Sequence, residues 1–222
     1  MSTMTMHTLP IDADRVRRMV QLTSRWQRDA LERTLVEYGW VTDTEVSLLP
    51  WCESQCAPFY FGVDGDSGSP DSARWRLDFG CPPESHDHGA PEEDDHGTPF
   101  IQLLCALKWP AFGQDPDPED PDEFDDFDDN DGRWTTHSEI TRADWDAEFD
   151  RLGALLRGQL GTPAHTETPD KSGYRLERWQ LDDMAVVLVS GDDINSYSFY
   201  DAIFLRICPA AARMASRYWP TD

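Results

Sequence analysis

The sequence predicts an α+β protein: antiparallel sheet packed against two long amphipathic helices and interrupted by a long acidic insertion. Three observations lead there. Two segments, 12–39 and 141–161, carry apolar residues at three-to-four spacing between helix start and stop signals. Several short segments alternate, or run apolar over a strand's length, between turn residues. Residues 115–131 hold 11 acids, no base and three prolines, a composition that resists packing.

The first helix is capped by Asp12 or Asp14 and carries Val16, Met19, Val20, Trp26, Ala30, Leu31, Leu35 and Tyr38 on its apolar stripe, with Gly39 placed to end it. Arg15, Arg17, Arg18, Arg25, Arg28 and Arg33 form its other face. Strands are expected at 45–51, where Pro50 marks an end or an edge, and at 57–63. Residues 64–71 are turn-rich. In 74–79, Trp75, Leu77 and Phe79 alternate with Arg74, Arg76 and Asp78, the pattern of a half-buried strand. A polar loop, 81–98, follows with three histidines, and Phe100–Trp109 is apolar enough for a buried strand, with a short helix as the alternative.

Beyond the acidic insertion, 113–133, Thr141 and Asp144 spell a capping box. Trp145, Phe149, Leu152, Leu155 and Leu156 continue as the stripe of the second helix, which Gly161 and Pro163 stop. Three strands, 174–180, 184–190 and 197–208, are joined by turns at 181–183 and 191–196 and so pair antiparallel. The middle one is apolar on both faces, as a central strand must be. A short helix is expected at 210–219. The order of elements allows two similar halves, 12–110 and 138–219, or one mixed sheet with both helices on one side.

Composition bounds the function. A chain of 222 residues with 39% hydrophobic and 11% aromatic residues, nine of them Trp, is globular. The formal charge is −24, and its distribution matters more than its size: residues 81–131 contain 17 acids and one base, Lys108, leaving 26 acids against 18 bases elsewhere. That disfavours direct binding to a phosphate backbone. Residues 1–10 lack the apolar core of a signal peptide, so the five cysteines are expected reduced in a cytoplasm. The longest apolar runs are far too short to cross a bilayer.

Cys52, Cys56, Cys81, His86, His88 and His96 are the metal-ligand candidates, since zinc takes thiolates and imidazoles. Their spacing is looser than a paired CxxC knuckle. His86-Asp87-His88 matches the opening of the metallo-β-lactamase-type signature, but Ala90 and Pro91 stand where it continues with Asp-His. Buried thiols beside a surface loop are the expectation, and no metal or cofactor is assigned. An EF-hand loop started at Asp126 meets Asp131 where glycine is required and His137 where glutamate is required. His137-Ser138-Glu139 resembles the start of a deaminase zinc motif without its later cysteines. No nucleophile elbow, phosphate loop, dinucleotide fingerprint or HExxH is present. The chain is therefore not expected to be an enzyme.

The remaining candidate is the acidic tract, with Phe124 and Phe127 set among Asp125, Asp126, Asp128 and Asp129. Clustered carboxylates with aromatic anchors suit a basic protein surface. The tract can equally be a solvated spacer, or can fold back on the arginine face of the first helix.

The segment 141–209 resembles immunity proteins of bacterial, actinobacterial-type polymorphic toxin systems. The resemblance rests on Trp145-x₃-Phe149-x₂-Leu152, the helix end Leu160-Gly161-Thr162-Pro163, Arg178-Trp179 ahead of Val186–Val189, Asp192–Asp193 and the last strand Ile203–Pro209. It covers about a third of the chain and implies a small, acidic, cytoplasmic binder that blocks a toxin. The runner-up readings are a DNA-mimic regulator occupying a nucleic-acid-binding site, and a zinc-dependent enzyme using the Cys/His cluster.

Overall fold

Nine strands join one antiparallel sheet in the computed structural model, which describes residues 4–38, 58–61, 75–80, 100–110, 134–167, 174–192 and 200–211. In chain order the elements are β1 (Met4–Thr8), α1 (Ala13–Gln21), a 3-10 turn (Leu22–Arg25), α2 (Arg28–Glu37), β2 (Pro58–Phe61), β3 (Trp75–Gly80), β4 (Phe100–Trp109), β5 (Thr135–Ile140), α3 (Arg142–Leu160), β6 (His165–Glu167), β7 (Arg175–Leu181), β8 (Met184–Asp192) and β9 (Asp201–Pro209). The main path is β2-β3-β4-β9-β8-β7-β6.

β4 is the pivot. One of its edges pairs with β9 from Ile101↔Ile207 to Lys108↔Asp201. Its other edge is shared: Phe100–Leu103 meets β3, and Ala106–Trp109 meets β1. β1 in turn carries β5 on its far side, from Thr8↔Thr135 to Met4↔Ile140. A register shift between Leu104 and Ala106 is where β4 turns from one neighbour toward the other.

The strands at the centre form because they can be buried on both faces. Every residue of Met184–Gly191 and of Asp201–Cys208 is buried, which fits their mostly apolar character, with Ser190, Asp201 and Arg206 as the buried polar exceptions. The turn at Asp182–Asp183, with Asp182 at φ 49°, returns the chain from β7 to β8 with no slack. α3 lies along one face of the sheet and buries Trp145, Phe149, Leu152 and Leu156. Gly153 sits against the sheet there because a Cβ would come within 3.3 Å of Glu177 Oε2. Val16, Met19, Leu22 and Leu35 complete the same apolar cluster from the N-terminal helices.

α3 starts and stops where its signals place it. Thr141 accepts from the Asp144 amide, the Asp144 carboxylate accepts from the Thr141 amide at 2.7 Å, and Gly161 closes the helix at φ 78°. Thr141 holds the Asp144 carboxyl below its ordinary pKa, chiefly through the side-chain hydrogen bond and then through the backbone one.

The first helix is a correction. A single long helix was expected over 12–39, but α1 ends at Gln21, and α2 starts afresh after Gln27, whose ψ of 131° is extended. The Thr23 and Ser24 hydroxyls donate back to the carbonyls of Val20 and Gln21 at 2.7 and 2.9 Å. That local bonding favours a tight turn over continued α-helix. The start holds: Asp12 is the N-cap, accepting from the Arg15 amide at 2.8 Å. Among the described residues the sheet is therefore accompanied by one long helix and two short ones.

The strand expected at 45–51, the 81–98 loop, the acidic insertion and the final helix beyond Ala211 lie outside the described residues. No described helix is long and apolar enough to cross a membrane.

Candidate functional site

A buried ion pair with its own hydrogen bonds stands at the end of the sheet where β4 finishes. Lys108 stands next to last on β4, directly across from Asp201, the first residue of β9. Their side chains form an ion pair of 2.7 Å with 3% and 2% exposure. Lys108 Nζ also donates to the Pro110 carbonyl at 3.0 Å, and the Tyr174 hydroxyl donates to Asp201 Oδ1 at 3.0 Å. The ammonium lies 5.9 Å from the ring centre of Trp145, whose indole N–H donates to Ser190 Oγ on β8 at 3.1 Å. One connected set of polar contacts thus fastens β4, β8, β9, the residue preceding β7 and the first turn of α3. A buried charge is tolerated only when paired and hydrogen-bonded in this way. The Lys108 amine is taken up by a carboxylate and a carbonyl, so the arrangement holds chain segments in place.

The acidic insertion is rooted beside this network. The nearest described residues on either side of it, Pro110 and Trp134, are both buried. Trp109 pairs with Thr5 and Thr135 pairs with Thr8, on opposite edges of β1. The roots are therefore about 10 Å apart along β1 and about two strand spacings, near 10 Å, across it. A long acidic segment leaves from and returns to one small region of the sheet.

Further polar contacts lie on both faces of the sheet. Glu177 on β7 is paired with Arg157 of α3, and Glu177 Oε2, on the Gly153 side, meets no other hydrogen-bonding group among the described residues. On the opposite face of the sheet, Arg206 donates to Gln102 between strands β9 and β4, both residues buried. Arg151 grips Glu148 with two bonds of 2.7 Å and donates to the Ile11 carbonyl at 2.9 Å, which ties the start of α1 to α3. Burial pushes the Cys105 thiol up to about 12, with the Glu148 carboxylate adding to the rise, and burial raises Cys208 as well. Neither is a nucleophile at neutral pH.

The tract candidates Phe124, Asp125, Asp126, Phe127, Asp128 and Asp129 lie outside the described residues, as do Cys52, Cys56, Cys81, His86, His88 and His96. Among the described residues no three His, Cys, Asp or Glu side chains come together as a metal site. His137 instead lies on β5, with Nε2 3.1 Å from Thr8 Oγ1, as a cross-strand contact. The basic face expected on the first helix is divided by the break at Gln27. Arg17 and Arg18 are exposed on α1, where Arg17 pairs with Asp14 at 3.0 Å and Arg18 lies over the Tyr38 ring. Arg33 falls on α2, beyond the turn.

Sequence reasoning passed over Lys108 and Asp201. The signal was available: a single cation inside a ten-residue strand whose other residues, Gln102 apart, are apolar requires a buried anion. Comparison with protein-family models, with curated proteins and with solved structures finds no match to this chain.

Proposed function

We propose that this chain is a non-enzymatic protein-binding protein of the immunity or inhibitor kind, which neutralises a toxin or another partner with a basic surface. The observation that carries the reading is the state of Lys108. It is the one base among 17 acids in residues 81–131, and it is buried against Asp201. No other base lies in that stretch to offset its carboxylates. A concentrated anionic segment raises the rate at which a basic partner is captured, and Phe124 and Phe127 supply the apolar anchors that slow its release.

The test is surface-based kinetics against the cognate partner at two salt concentrations, with an unrelated cationic protein as the control for charge alone. Replacing Asp125, Asp126, Asp128 and Asp129 with Asn should slow association several-fold to roughly tenfold and leave thermal stability unchanged, because solvated charges contribute little to it. Phe124→Ala with Phe127→Ala should raise the dissociation rate. The wild-type association rate should fall as salt shortens the screening length to roughly 3 Å at 1 M. An association rate indifferent to both salt and the Asn substitutions would overturn the reading.

A further inference from the structure

We draw no further inference here: the strongest candidate, the buried side-chain cluster of Lys108, Asp201 and Tyr174 at the end of the sheet where β4 gives way to the acidic tract, is closed by its own hydrogen bonds and belongs to the site already described.

Discussion

Removing the ammonium of Lys108 would deprive the buried carboxylate of Asp201 of its counter-charge. After Lys108→Met, Asp201 keeps the Tyr174 hydroxyl but loses the charge 2.7 Å away, and the Pro110 carbonyl loses its donor. Breaking a buried ion pair from one side costs about 3–5 kcal/mol, because the remaining charge stays desolvated without compensation. For a chain of 222 residues, each kcal/mol corresponds to about 2–4 °C in Tm. Lys108→Met should therefore lower Tm by roughly 6–20 °C. Asp201→Leu should cost a similar amount, since it strands the amine in turn.

The double variant Lys108→Met/Asp201→Leu separates the pair from its burial. Replacing both charges with apolar groups of similar volume is often neutral or stabilising, and the surroundings here, Trp145, Ala106 and Ile203, are buried. Its stability should return to within about 1 kcal/mol of wild type, so the two single losses should fail to add by several kcal/mol. Tyr174→Phe, which deletes one bond to a charged acceptor, should cost about 1.5–3 kcal/mol. Thermal and urea unfolding followed by far-UV circular dichroism and tryptophan fluorescence measure all four. If Lys108→Met moves Tm by less than about 2 °C, or if the double variant loses the sum of the singles, the pair is not the buried, mutually dependent unit described above.

Two glycines of α3 should respond with opposite sign to alanine. Gly158 has open space around it, so Gly158→Ala should gain about 0.5–1 kcal/mol of helix propensity. At Gly153 the new methyl would crowd Arg157 Nη2 and Glu177 Oε2, and Gly153→Ala should lose about 1–2 kcal/mol overall as the pair is pushed apart; urea midpoints decide both. Thr141→Ala should cost about 1 kcal/mol by removing the cap of α3. The same cap gives a pH signature: Asp144 titrates below its ordinary value when folded, so its contribution is present above the unfolded pKa of roughly 4. That contribution is lost as pH falls through the lower folded value, and Asp144→Asn should flatten that part of the acid-unfolding curve. Cys105 and Cys208 should resist iodoacetamide at neutral pH until the protein is unfolded, as read by peptide mass spectrometry; rapid modification in the folded state would contradict their burial.

The parts of the fold legible in the sequence are those whose signals are local. Thr141 and Asp144 are three residues apart and bond each other, so the start of α3 could be read to the residue. β4 and β8 are mostly apolar over a strand's length, and β7 and β8 are joined by a two-residue turn. β1, β5 and β6 were missed for the opposite reason. Their sequences, Met-Thr-Met-His-Thr, Thr-Thr-His-Ser-Glu-Ile and His-Thr-Glu, are short and largely polar, and Thr135–Glu139 is exposed throughout. Such strands owe their form to pairing across the chain: Thr8 meets Thr135, which no local pattern announces. The broken first helix is an intermediate case. Its apolar spacing is real, but spacing does not register that Thr23 and Ser24 bond backward and tighten the turn between α1 and α2.

The site was harder to read because a residue's type and density are visible in a sequence while its partner is not. Cysteines and histidines near one another, or eleven acids in a row of seventeen, attract attention by number. Lys108 attracts it only when the apolar run around it is taken as buried, and burial then requires an anion from among 43 acidic residues. The register of β4 against β9 makes the choice: Lys108 falls opposite Asp201 because Ile101 falls opposite Ile207 and one irregularity intervenes. A shift of one residue would put Lys108 and Asp201 on opposite faces of the sheet and leave each buried charge without the other. The apolar pairs from Ile101 to Leu107 thus set the geometry of the single ion pair at their end. Lys108 in turn bonds the carbonyl of Pro110, the last described residue before the acidic insertion.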